Sequence, residues 1–292
     1  MRRIAESELV LNPDGSVYHL NLKPEHVSGT VIFVGDPGRV DKVASFFDRK
    51  EFETRKREFH TVTGSYKGKR ITVISTGIGP DNIDIVMNEL DALVNIDLQT
   101  RTVKDKLTSL TIVRIGTSGS LQADIPVDHF VMADYGIGFD GMLWSYACGE
   151  VVDTEMAEAF VRHTGWDRRK PFPYIVGNHK ALGESLLGGE RVHRGITATA
   201  GGFFGPQGRV LRLPLQDPEL NGKIDSFRYG EHRITNLEME TAAIYGLAKL
   251  MGHKACSMNC IIANRANLTF SRDPYASVKN LIQYTLDKLV LL

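Results

Sequence analysis

The sequence predicts one α/β domain whose largely parallel or mixed central sheet is flanked by helices. Three observations point there. Strand-like runs alternate with helix-like runs from end to end. No linker, repeat or low-complexity segment divides them. Several strands run into glycine-rich turns, and in such folds ligands collect at the carboxyl ends of strands. The expected domain is 1–292, with 1–17 an irregular N-terminal arm.

Composition narrows the class. The 292 residues are 42% hydrophobic and 24% charged, a globular composition. Thirty-five basic residues balance 35 acidic ones, so nothing points to nucleic acid or an anionic membrane surface. No apolar run approaches the roughly 20 residues of a membrane span. The start, M-R-R-I-A-E-S-E-L, has acids where a signal peptide needs an apolar core. Three cysteines, Cys148, Cys256 and Cys260, suggest a reducing, cytoplasmic setting. Without nearby histidines they read as small buried hydrophobes and not as zinc ligands.

In chain order, residues 1–30 read as irregular, with turn chemistry at Asn12 to Gly15 and a lone His19. Thr30 to Val34 is a strand running into G-D-P-G-R-V. Val40, Val43, Ala44 and Phe47 then recur at helical spacing, which puts Arg39 in the first turn. Such a turn offers N–H groups to an anion. The alternative is a surface arginine paired with Asp36 or Asp41. A basic cluster, R-K-R-E-F at 55–59, precedes a hairpin that turns at Lys67 to Lys69. G-I-G-P-D-N leads into a helix capped by Asp81 or Asn82, with Ile83, Val86 or Met87, Leu90, Leu93 and Val94 as its apolar stripe.

Thr111 to Leu121 reads T-I-V-R-I-G-T-S-G-S-L. The first half suits a strand buried on both faces. Arg114 inside it needs an anionic partner, because a guanidinium does not deprotonate. Gly116 and Gly119 read as a sharp turn that bares backbone N–H groups, and Thr117 and Ser118 add hydroxyls. The set fits an oxyanion, most naturally phosphate. The alternative is a strand end whose arginine pairs with a carboxylate. Another strand follows in D-H-F-V-M-A-D-Y, then a loop at 136–150 and a helix from Thr154 to His163. Ile196 to Gly202 is a strand ending in glycines, and 211–235 reads as irregular or helical. A helix is expected from Asn236 to Gly252, with Glu238 and Glu240 complementing its N-terminus. A strand (Ala255 to Ala263) and a helix (about Ala276 to Leu291) complete the chain.

Four segments in this order, G-D-P-G-R-V at 35–40, R-I-G-T-S-G at 114–119, F-F-G-P-Q-G-R at 203–209 and N-L-E-M-E-T-A at 236–242, resemble the nucleoside phosphorylase family, in its uridine phosphorylase branch. The resemblance runs from about Tyr18 to the C-terminus. It implies a distorted, partly barrel-like sheet and reversible phosphorolysis of uridine to uracil and ribose 1-phosphate. It implies phosphate contacts at Gly35, Arg39, Arg114 and Thr117, with Arg57 donated by a neighbouring subunit. It implies ribose contacts at Met239 and Glu240, with His19 from the neighbour. The base contacts are Phe203, Gln207 and Arg209, beside Ser118 and Gly119. Arg114, Glu240, Gln207 and Arg209 would carry the catalysis. Purine-type relatives place an aspartate after the late strand, where this chain has Asn264 and Arg265; a purine or broader phosphorylase, or a non-catalytic nucleoside binder, is the alternative. Inorganic phosphate is a co-substrate, and no metal or organic cofactor is implied. The lost glycine in G-I-G-P-D-N argues against the monovalent cation that some relatives bind there. Sites shared between subunits imply a homo-oligomer, a dimer or a hexamer built from dimers. Gly208 departs from the acidic residue frequent in the family.

Overall fold

The β-branched run Thr30–Val34 forms a fully buried strand, β1, at the centre of a computed structural model that describes residues 3–292. Asp36 caps the helix that follows, α1 (Pro37–Ala44), by accepting from the Gly38 N–H at 2.9 Å. Next come β2 (Arg49–Lys56), β3 (Phe59–Tyr66) and β4 (Lys69–Ser75), so the basic cluster at 55–59 spans the end of a charged strand and the turn from β2 to β3. α2 (Pro80–Asn95) presents the expected apolar stripe, but its N-cap is Gly79, with no side-chain cap from Asp81 or Asn82. A small hairpin, β5 (Ile96–Asp97) and β6 (Thr102–Val103), leads to β7 (Thr111–Ser120).

Then follow β8 (Phe130–Gly138), α3 (Thr154–Thr164), β9 (Tyr174–Gly177), α4 (Lys180–Leu186) and β10 (Val192–Thr199). β9 and α4 are too short for their periodicity to show in the sequence. The chain ends with α5 (Leu220–Ser226), β11 (Arg228–Tyr229), β12 (His232–Glu238), α6 (Thr241–Met251), β13 (Lys254–Asn264), β14 (Thr269–Phe270) and α7 (Pro274–Val290). Residues 232–238 are therefore strand, and the helix expected from Asn236 begins at Thr241. Thr235 and Leu237 carry the strand's ladder preference, and acidic residues at its end imitate a helix start.

The main sheet runs β11-β12-β10-β8-β13-β7-β1-β4-β3-β2, and β12 also pairs with β7. That extra pairing, Asn236 with Ser120 and Leu237 with Gly119, closes β7, β13, β8, β10 and β12 into a ring. The sheet is thus mixed and partly barrel-like. β7 lies parallel to both β1 and β13, with Phe33 and Ser257 level with Arg114.

Alternate residues of the central strands feed separate cores. Phe33 and Ile112 pack with α2 and α6, while Ile32, Val113 and Ile115 pack with α1 and α7. A third core joins Ile137 and Ile196 to α3 and α5 through Phe160 and Ile224. Each fully buried aliphatic or aromatic side chain contributes about 1.5–3 kcal/mol. Irregular residues 11–22 also anchor here, with Val17, Leu20 and Leu22 fully buried.

Tyr245 of α6 ties two strands together inside this core. Its hydroxyl donates to Ala133 O at 2.7 Å and accepts from Ser257 N–H at 2.8 Å. Tyr245→Phe strands the buried Ser257 N–H and leaves Ala133 O to the Asn178 amide alone, a cost of about 1–3 kcal/mol. Urea unfolding should show a fall in stability of that size; an unchanged midpoint would mean that other partners replace the hydroxyl.

Candidate active site

The carboxyl ends of β1 and β12 converge with the middle of β7 and the start of α6. Arg114 points from β7 into this junction and is buried. Its Nη1 donates to Asn259 Oδ1 at 2.6 Å and its Nη2 to Glu240 Oε2 at 2.5 Å. Glu238 Oε2 lies 3.0 Å from the same Nη2. One guanidinium is therefore shared by two buried carboxylates. Burial alone would lower the Arg114 pKa; the charges of Glu238 and Glu240 outweigh it and raise it. Burial, reinforced by Glu238, raises that of Glu240, with Arg114 opposing.

The two glutamates do different work. Glu238 accepts the backbone N–H groups of Glu240 and Thr241 and the Thr199 hydroxyl. It does complement the helix start, as the sequence suggests. Glu240 stands at the N-cap of α6, but its side chain does not cap that helix; its Oε1 accepts the Gly79 N–H at 2.8 Å. Gly79 has φ 98°, backbone favoured by glycine, and this explains the glycine in G-I-G-P-D-N. Arg39 reaches the same junction from α1, and its Nη1 donates to Ile115 O at 3.4 Å. Burial and the nearby Arg114 charge lower its pKa. Neither Asp36 nor Asp41 takes it; Asp41 pairs with Arg55 at 3.0 Å.

The expected turn at Gly116 and Gly119 is absent. β7 runs straight through both, and neither has positive φ. Gly116 serves space instead, because a Cβ there would lie 1.8 Å from Arg114 Nη1. The guanidinium folds back across its own strand. Gly35 ends β1, two residues beyond Phe33, the partner of Arg114. Thr117 is half-buried, and Ser118 is buried and accepts from Asn236 Nδ2 at 2.9 Å.

A second constellation lies at the carboxyl end of β7. Gln207 is buried on a single 3-10 turn, Gly205–Gln207. Its Oε1 accepts from Arg209 Nη1 at 2.6 Å and from Arg265 Nη2 at 3.5 Å. Arg265 Nη1 also donates to Gln207 O. The Arg209 guanidinium sits 3.8 Å over the half-exposed Phe203 ring. Arg265 Nε lies 3.8 Å from where a Cβ on Gly119 would be. Burial and the adjacent Arg209 push Arg265 down to about 10. Neither arginine has a carboxylate partner among the described residues. This electropositive pair is suited to an anion. In the sequence Arg265 stands only as a departure from the purine-type aspartate; its adjacency to Arg209 arises from the return of β13 beside β7, which local spacing does not reveal. Asn264 is structural, donating to Gln122 O and Ile125 O. Gly208 has φ 69°, and a Cβ there would strike Asn221, so an acidic residue does not fit this turn.

Met239 is half-buried between the glutamates. His19 and Arg57 stand apart. His19 Nδ1 is 2.7 Å from Glu89 Oε1, and Arg57 is exposed at φ 57°. Among the described residues, no hydrogen bond or ion pair joins either to Arg39, Arg114 or Glu240.

Residues 30–285 match the family model described as the phosphorylase superfamily. The chain belongs to that superfamily. It is 31% identical over 281 residues to a uridine phosphorylase of Thermococcus kodakarensis, covering 93% of this chain and 86% of the relative. It is 25% identical over 241 residues to a DeoD-type purine nucleoside phosphorylase of Listeria welshimeri, covering 82% and 84%. Among solved structures, a Trypanosoma brucei nucleoside phosphorylase described as showing uridine phosphorylase activity superposes with a TM-score of 0.88 at 30% identity, covering 97% of this chain and all of that one. The mixed, ring-closed sheet is thus the family's fold.

Gly116→Ala tests the arginine cradle. The added methyl forces the guanidinium off Asn259 and Glu240 and leaves buried carboxylates short of a partner, a loss of about 3 kcal/mol. Chemical denaturation should show it. Wild-type stability would mean that Arg114 does not need that space.

Proposed function

We propose that this chain catalyses the reversible phosphorolysis of uridine to uracil and ribose 1-phosphate. The observation that carries the proposal is the pairing of two unlike centres along one strand. At one, two carboxylates share Arg114 beside Arg39. At the other, Arg209 and Arg265 converge on Gln207 with no carboxylate.

Cleaving a nucleoside C–N bond leaves positive charge on the ribose and negative charge on the base, and a site accelerates the step by stabilising both. Phosphate would occupy the space bounded by Gly35, Arg39, Arg114 and Thr117. There it would take Arg114 Nη2 from Glu240, while Glu238 stays as the buried counter-charge. Glu240, still held by the Gly79 N–H, would then turn its freed oxygen to the ribose hydroxyls beside Met239. A phosphate oxygen attacks the anomeric carbon as the bond to the base nitrogen breaks, and that bonding pair leaves with uracil. Gln207 has its carbonyl engaged by the arginines, so its amide N–H groups are available to a uracil carbonyl. Arg209 and Arg265 stabilise the charge that develops on the base, Phe203 covers its face, and Ser118 and Gly119 floor the pocket. Positioning and electrostatics carry the catalysis, with phosphate as co-substrate and neither metal nor organic cofactor needed.

His19 and Arg57 would act on a neighbouring copy in a homo-oligomer. They share one surface region, where Lys56 lies over the Tyr18 ring at 4.5 Å and donates to Tyr18 O, and the His19 and Phe59 rings lie 6.5 Å apart. A cytoplasmic setting fits three free, buried cysteines. Asn264 is spent on backbone carbonyls where purine-type relatives offer a carboxylate, which favours a pyrimidine base.

Incubation with uridine, with and without phosphate, tests the proposal. Uracil and ribose 1-phosphate should appear only with phosphate, faster than hypoxanthine appears from inosine. Arg209→Ala should lower kcat/KM for uridine on the order of a hundredfold. Phosphate-independent release of uracil would overturn it.

A further inference from the structure

The turn that carries Gln207 is closed on itself. The Gln207 and Arg209 N–H groups both donate to Phe204 O, at 3.1 and 2.9 Å, and the Gly208 N–H donates to Gly205 O at 2.9 Å. Arg209 Nη1 returns to Phe203 O and to Gln207 Oε1, each at 2.6 Å. These bonds shape residues 203–209 without fixing them to the rest of the molecule. Among the described residues, hydrogen bonds from outside the segment come from Arg265 and Asn221 alone.

The two ties differ in kind. Arg265 is a cation beside Arg209 that donates to Gln207 O and Gln207 Oε1, and negative charge developing on a base would draw it away from both. Asn221 is neutral and stands on α5, whose Leu220 and Ile224 are buried in the third core. Its Nδ2 donates to Gln207 O at 3.2 Å and to Gly208 O at 3.4 Å. Its Oδ1 is buried without a partner. A flipped amide would set that oxygen against two carbonyl oxygens, so the orientation is fixed. A stranded acceptor is unfavourable, and the two donated bonds are what offset it. Gly208 belongs to the same fitting: a Cβ there would strike the Asn221 amide, which packs on the face that glycine leaves bare.

We propose that Asn221 is a positioning residue for the base. Holding Gln207 O and Gly208 O from an anchored helix, it keeps the Gln207 amide aimed at a uracil carbonyl while Arg209 and Arg265 turn to the base. Gln207 Nε2 makes no hydrogen bond among the described residues, so its direction follows from where the turn stands. This role rests on the phosphorolysis reading above and adds to it a residue that touches no substrate.

Steady-state kinetics of Asn221→Ala, Gln207→Ala and the double variant test this, with uridine and phosphate varied in turn. Asn221→Ala should lower kcat/KM for uridine about tenfold, while its KM for phosphate stays within about twofold of wild type. In the Gln207→Ala background the same substitution should cost less than about twofold, because its effect runs through that amide. Asn221→Leu, which fills the volume without a donor, should behave as Asn221→Ala does. Wild-type kcat/KM in either single variant at Asn221, or equal losses in both backgrounds, would overturn the proposal. A wild-type chain that releases no uracil from uridine would remove the phosphorolysis reading and this role with it; an active wild type separates the two failures.

Discussion

The sharing of one buried guanidinium by two carboxylates governs this molecule. Arg114 cannot shed its charge, and a solitary buried cation costs several kcal/mol. Glu238 and Glu240 supply two negative charges against it at 3.0 and 2.5 Å. The cluster therefore holds one carboxylate more than the guanidinium's charge requires. Glu238 is fixed by three donors from α6 and β10. Glu240 is tethered only by Arg114 and one backbone N–H, which makes it the carboxylate able to exchange a protein cation for a substrate hydroxyl.

The fold makes that cluster possible. Arg114 and Glu238 are more than a hundred residues apart, and the ring of β7, β13, β8, β10 and β12 brings them face to face. Asn259 reaches Arg114 because β13 runs parallel to β7 with Asn259 level with Gly116. Gly116, in turn, leaves the volume that the guanidinium fills. The same β13 ends by carrying Arg265 to Arg209. Both centres thus depend on one strand pair, β7 with β13, and a register slip there would dissolve both at once.

Much of this was legible in the residues. Thr30 to Val34 and Ala255 to Ala263 carry the composition of buried strands, and the stripe from Ile83 to Val94 fixes a helix face. The four glycine- and charge-bearing segments pointed to the family and to most of the residues now seen in two clusters. Other features were hidden for physical reasons. β2 is a charged edge strand, so it lacks an apolar pattern. β12 ends in acids that satisfy a helix start across a strand-to-helix junction, and so read as helix. Gly116 looked like a turn because a strand glycine and a turn glycine are alike in sequence; only the guanidinium packed over it reveals the difference. The adjacency of Arg265 and Arg209, and the partnership of Gly79 with Glu240, are long-range consequences of closure.

The most direct measurement is phosphate affinity in Glu240→Gln by calorimetry. If Glu240 and phosphate compete for Arg114, removing the carboxylate's charge should tighten phosphate binding while weakening uridine. Phosphate binding that weakens in step with uridine would contradict the exchange and would make Glu240 a plain structural partner of Arg114.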